Sequence, residues 1–158
     1  MCRFLCYVGG RLRMADLVTT PSRSLLHQSF DSRERMKGTK TLHAHHNATV
    51  NGDGFGVAWY ESEENGEDAA PCLFRSLKPA WNDRNLHSLA RKIYTNLFFA
   101  HVRAASPALP VDETSCHPFC HGRYMFMHNG GGGEVHLVRR ALVDSLSDEL
   151  LAFVMLNG

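Results

Sequence analysis

Three groups of residues in this sequence have the chemistry of acyl transfer, and they lie far apart in the chain: Cys2, Arg103 and the pair Asn129-Gly130. Cys2 comes directly after Met1, so loss of that methionine would leave a cysteine bearing both a thiol and a free α-amine. Such an amine has an ordinary pKa of about 7.7–8.0, and its neutral fraction can serve as the base for its own thiol. Arg103 ends an apolar run, where the planar fork of a guanidinium can grip a carboxylate. Asn129 and Gly130 end another, and an asparagine amide beside a glycine N–H makes a two-donor oxyanion hole. Together they describe a thiol attacking an amide whose substrate carries its own carboxylate. Each also has a plainer reading. Cys2 is simply the residue after a start methionine, Arg103 can pair with a structural acid, and Asn-Gly is among the commonest turn dipeptides.

The elements that must position these groups are legible in part. Residues 4–8 form a short β-prone run stopped by Gly9-Gly10, which reads as a buried strand. Residues 16–30, broken by Pro21, read as a short helix followed by a loop. Asn51-Gly52-Asp53-Gly54 is a strong turn signal before a strand over residues 55–60. Gly54 and Gly56 point to close backbone approach rather than phosphate binding, because the spacing is not a P-loop and no Lys-Ser/Thr comes after it. Residues 72–77 read as its hairpin partner. Asn82 or Asp83 caps a helix carrying Leu86, Leu89, Ala90 and Ile93. Residues 97–102 and 124–127 read as strands, and a helical pattern closes the chain with Ser147 as a cap. His101 and His128 sit between apolar residues, where core histidines are expected. His43, His45 and His46 read as polar loop, since adjacent histidines point different ways on a strand or a helix.

Composition excludes several classes. At 158 residues the chain is long enough to bury a core, and 44% hydrophobic with 21% charged residues argues against wholesale disorder. A net charge of +1 without a Lys/Arg run gives no reason to expect a nucleic-acid partner. No stretch approaches the roughly 20 apolar residues of a membrane span, so no membrane role is expected. Arg3 and the short apolar run after it do not make a secretory leader, and five cysteines, an odd count, fit a reducing cytoplasm. Cys116-His117 with Cys120-His121 departs from the usual zinc spacing, so no metal is expected.

Five stretches then occur in order: Met1-Cys2-Arg3-Phe4, Asp53-Gly54-Phe55-Gly56-Val57-Ala58-Trp59-Tyr60, His101-Val102-Arg103-Ala104-Ala105-Ser106, Cys116-His117-Pro118-Phe119 and Phe126-Met127-His128-Asn129-Gly130. In these the chain resembles the class II glutamine amidotransferase domains of the N-terminal nucleophile hydrolase superfamily. The nearer likeness is to the stand-alone branch that includes the fungal glutathione-degradation subunit and the ergothioneine-pathway amidohydrolase. The resemblance covers essentially the whole chain. It implies an α+β fold, a four-layer αββα sandwich of antiparallel sheets, with residues 2–158 forming the N-terminal part of one amidotransferase domain.

It also implies hydrolysis of a γ-glutamyl amide, from glutamine or a γ-glutamyl peptide such as glutathione, through a γ-glutamyl thioester on Cys2. Asn129 and Gly130 would hold the oxyanion, Arg103 would bind the substrate α-carboxylate with Ser106 assisting, and His117 would lie near the substrate without a chemical step. No cofactor is implied; a partner peptidase or synthase subunit is. The family continues with a Thr-Asp-Ser-Glu-like segment whose aspartate takes the substrate α-ammonium, and this sequence ends about where that segment would begin. The expectation is therefore an incomplete domain, weakly active or inactive alone. The alternative is an inactive module that binds a partner.

Overall fold

The computed structural model of the chain describes residues 2–31, 50–61, 70–105, 111–130 and 135–157. Its framework is a four-stranded antiparallel sheet built from β1 (Arg3–Arg13), β2 (Phe55–Trp59), β3 (Cys72–Ser76) and β4 (Tyr94–Val102), in the order β1-β4-β2-β3. Three helices follow the chain around one face: α1 (Ala15–Val18), α2 (Leu25–Phe30) and α3 (Arg84–Lys92). Strand alternation sends Phe98, Ala100 and Val102 of β4, with Phe55 and Val57 of β2, toward those helices. There they pack with Met14, Val18, Leu25, Leu86 and Ala90 in a single buried cluster. Asp83 caps α3 as expected, its carboxylate accepting from the Leu86 amide at 2.9 Å. Where a short helix followed by a loop was expected over residues 16–30 there are two helices, because the Pro21 region is a turn and Ser24 starts α2 with its own cap at the His27 amide.

β1 runs further than its apolar core suggested. Gly9-Gly10 does not end it; the register to β4 shifts between Val8 and Leu12, and pairing resumes at Leu12. A Cβ at Gly9 would meet the Tyr7 hydroxyl at 2.8 Å, and that hydroxyl donates to the Gly10 carbonyl.

The second face of the sheet carries Phe4, His101, Gly56 and Arg75, which are aligned by the ladders Phe4↔His101, Gly56↔His101 and Gly56↔Arg75. A hairpin of β5 (Phe119–His121) and β6 (Tyr124–Phe126) sits across this face. β5 is a strand the sequence pattern did not suggest. Three sets of contacts fasten the hairpin. A Cβ on Gly56 would overlap the His117 carbonyl, Arg75 reaches the Thr114 and Cys116 carbonyls at 3.4 Å each, and the Tyr60 hydroxyl donates to the Arg123 carbonyl. The fold is α+β with antiparallel sheets, as expected, with helices against one face of the large sheet and the β5–β6 hairpin against the other. Two further helices, α4 (Val135–Asp144) and α5 (Asp148–Asn157), end the described chain, and the Leu150 amide donates to Ser147 at 3.4 Å.

Candidate functional site

Antiparallel pairing sets the site. Arg3 lies opposite Val102, so the residue before β1 and the residues after β4 meet at the same sheet end. There the Cys2 thiol is half-buried against Ala104: the Ala104 amide donates to Sγ at 3.3 Å, and the thiol faces the Ala104 carbonyl at 3.6 Å. The loop that supplies Ala104 is itself held by the Asn-Gly-Asp-Gly turn. Arg103 N–H donates to the Gly54 carbonyl at 2.8 Å, Asp53 N–H donates to the Arg103 carbonyl at 3.2 Å, and Ala105 N–H donates to the Asp53 carboxylate at 2.8 Å. Gly54 is needed there: its φ is +109°, and a Cβ would lie 2.7 Å from the Cys116 sulfur.

Asn129 comes to the same place from the far end of the hairpin. Its side-chain amide donates to the Cys2 carbonyl at 2.8 Å, across 127 positions of sequence. An amide group has two N–H donors, so this bond leaves one for a ligand. Gly130 is next in the chain, exposed, with φ +131°, a conformation that favours glycine. Arg103 is buried, 5% exposed, and its charge is felt by Asp112, Cys116, His101 and His117 around it. Cys2, Asn129, Gly130 and the backbone of Arg103 are thus gathered at one end of the sheet. Ser106, the other expected substrate contact, lies outside the described residues, as do His43, His45 and His46.

His117 stands beneath this group. Its Nδ1 is 3.1 Å from Nε2 of His101, and its ring meets those of His101, Phe119 and His128 edge-on at centroid distances of 4.5, 4.4 and 4.5 Å. His101 is a buried strand histidine, as expected, but His128 is not: β6 stops at Phe126, and His128 is exposed, with Nδ1 3.1 Å from the Gly130 carbonyl. Burial, then the proximity of His117, His128 and Arg103, lowers His101 to about 3. Burial, with His128 and Arg103, lowers His117 to about 4. Both rings are therefore neutral near pH 7. Burial likewise raises Cys116 and Cys120. Among the described residues no three His, Cys, Asp or Glu side chains are grouped to hold a metal ion. None of their helices is long and apolar enough to cross a membrane.

The sequence reading missed Ala104 and Asp53 as builders of the site. Ala104 acts through its backbone and leaves no signal in residue type. Asp53 did leave one, an acidic side chain inside a turn that immediately precedes the strand leading to the site.

Known proteins share this arrangement of chain. Residues 14–143 match the family model described as glutamine amidotransferases class-II. The Saccharomyces cerevisiae protein named "Probable glutamine amidotransferase DUG3" is 42% identical over 155 residues, which is 98% of this chain and 41% of that protein. The Mycobacterium tuberculosis gamma-glutamyl-hercynylcysteine sulfoxide hydrolase is 30% identical over 160 residues, 100% of this chain and 62% of that enzyme. A solved structure of a glutamine aminotransferase class-II domain protein from Silicibacter pomeroyi superimposes with a TM-score of 0.54 at 24% identity. That match covers 97% of this chain and 47% of the other, and supports the fold alone. The chain thus spans between two fifths and two thirds of the length of these relatives. On the family match and the extent of these identities, the chain belongs to the class II glutamine amidotransferases.

Proposed function

We propose that this protein hydrolyses a γ-glutamyl amide through a thioester on Cys2, after removal of Met1. The observation that carries the reading is the meeting of the Cys2 thiol with the Ala104 amide at 3.3 Å and of the Cys2 carbonyl with Asn129 at 2.8 Å. A thiol and an unused amide donor thus lie side by side, which supports a nucleophile with an oxyanion donor beside it. In this reading the thiolate attacks the γ-carbonyl, with the α-amine of Cys2 taking the thiol proton and passing it to the leaving amine. Asn129 and the Gly130 N–H hold the oxyanion. The amine then activates water, which releases glutamate and regenerates the thiol. Arg103 binds the α-carboxylate with Ser106 beside it, and His117 supports the site from below. The names of the yeast and mycobacterial relatives, a glutamine amidotransferase and a γ-glutamyl sulfoxide hydrolase, favour glutamine or another γ-glutamyl amide as substrate. No cofactor enters this scheme. Residues 2–158 form the N-terminal part of one amidotransferase domain. All five cysteines are among the described residues and none is in a disulfide, which supports a reducing, cytoplasmic setting.

A second reading, a partner-binding module without activity, is favoured by Phe4 and Val8 of β1, which are 49% and 71% exposed. Its partner would be a peptidase or synthase subunit. Intact-mass spectrometry before and after the glutamine analogue 6-diazo-5-oxo-norleucine separates the two. Hydrolysis requires a starting mass without methionine and one adduct, absent from Cys2→Ala. A processed chain that takes no adduct overturns the hydrolase reading.

A further inference from the structure

Asn129 and Gly130 are exposed and come just after a strand of only three residues, so something must fix them where an oxyanion would form. The hydrogen bond from Asn129 to Cys2 restrains the side chain. A second restraint acts on the backbone. A carbonyl oxygen only accepts, so the 3.1 Å contact between His128 Nδ1 and the Gly130 carbonyl requires Nδ1 to carry the proton. The His128 ring thereby closes the chain over its own next two residues and holds Gly130 at φ +131°.

That ring is in turn held from below. It meets His117 edge-on at 4.5 Å, His117 is hydrogen-bonded to His101 at 3.1 Å, and His101 lies in β4, in the middle of the sheet. Gly56 lets the His117 backbone settle directly on β2, which sets the height of the column. We propose that His128 is a positioning residue for the Asn129–Gly130 donors, and that His117, standing on His101, determines where His128 sits. The inference rests on the reading that Asn129 and Gly130 hold the oxyanion. It adds that three histidines, none touching the substrate, tie those donors to β4, the strand that leads into Arg103.

The neutral state of His101 and His117 fits such a column, since one imidazole donates and the other accepts between Nδ1 and Nε2.

Two readouts test this on the whole chain. The first is the order parameter of the Gly130 amide from ¹⁵N relaxation, together with the ring ¹⁵N shifts of His128. The second is the rate of Cys2 labelling by 6-diazo-5-oxo-norleucine. In the wild type, the His128 ring shifts should show the proton on Nδ1. His128→Ala should lower the Gly130 order parameter and slow labelling by about 10–100-fold, the scale of a 1 Å misplacement. His128→Asn, whose amide nitrogen can replace Nδ1, should recover most of both. His117→Phe keeps an aromatic edge but loses the bond to His101, and should fall between wild type and His128→Ala. Unchanged Gly130 order and labelling in His128→Ala overturn the proposal, as does equal loss in the Ala and Asn variants. A wild type that takes no label, but whose Gly130 order depends on His128, supports the positioning and removes the hydrolase reading instead.

Discussion

Gly56 in β2 and His117 in the loop before β5 lie backbone against backbone, with no room between them for a methyl group. The same glycine is paired with His101 in the sheet. Any side chain at position 56 must therefore lift the segment that carries the histidine column. Gly56→Ala is expected to cost about 1–3 kcal/mol, the usual range for overpacking, which is roughly 2–10 °C in melting temperature for a chain of this size. Thermal denaturation followed by circular dichroism checks it. A melting temperature at or above wild type would show that the segment relaxes without strain.

Stability should fall on mild acidification. His101 and His117 are lowered from 6.5 to about 3 and about 4 in the folded protein, whereas the unfolded chain binds those protons near pH 6.5. Between those values the unfolded state holds more protons, so stability rises with pH and is lost as pH drops from about 6.5 toward 4. The groups facing His101 are His117, His128 and Arg103, all of which disfavour its protonation through their charge. The expected loss from pH 7 to pH 5 is on the order of 2–4 kcal/mol for the pair. Urea midpoints at the two pH values measure it, and His101→Phe with His117→Phe should flatten the dependence.

Asn129 is exposed, and its removal should leave the melting temperature within about 1–2 °C, since most surface substitutions stay within about ±0.5 kcal/mol. Its amide nevertheless donates directly to the Cys2 backbone. Under the proposed mechanism, Asn129→Ala is expected to slow formation of the Cys2 adduct by about 100–1000-fold, as for the loss of one oxyanion donor. Time-resolved intact mass reads this directly, and a rate within about threefold of wild type would take Asn129 out of the chemistry.

Asp53 acts at a distance from the thiol. Its carboxylate holds the Ala105 amide, and its own amide holds the Arg103 carbonyl, so it fixes the loop bearing Ala104. Asp53→Ala removes a hydrogen bond to a charged acceptor and should cost about 1.5–3 kcal/mol. Under the proposed mechanism, in which Arg103 binds the substrate carboxylate, it should also weaken substrate binding, raising KM more than it lowers kcat. An unchanged KM in a folded Asp53→Ala protein would separate the loop from recognition.

Much of the frame could be read from residue types. The strand after the Asn-Gly-Asp-Gly segment, its hairpin partner and the Asp83 cap all depend on neighbours in sequence, and all are present. The two glycines at 54 and 56 were expected to permit close approach, and both touch the Cys116–His117 segment. The features that stayed hidden depend on tertiary contact. β1 passes through Gly9-Gly10 because β4 offers it partners on both sides of the shift. The three histidines occupy positions 101, 117 and 128, spacings with no helical or strand period, so nothing local announces that their rings meet. His128 was misplaced for the same reason: an apolar flank suggested a strand, whereas the ring turns back on its own chain.

The pairing of Arg3 with Val102 makes the β1–β4 ladder a ruler for the thiol. Successive residues leave a strand on opposite sides and advance by about 3.4 Å. Cys2 directly precedes the first paired residue, so inserting one residue between Cys2 and Arg3 would turn the sulfur away from Ala104, and inserting two would carry it about 7 Å past. The place of Cys2 directly before the first cross-strand pair is thus a fixed gauge, as much a part of the candidate site as the side chains themselves.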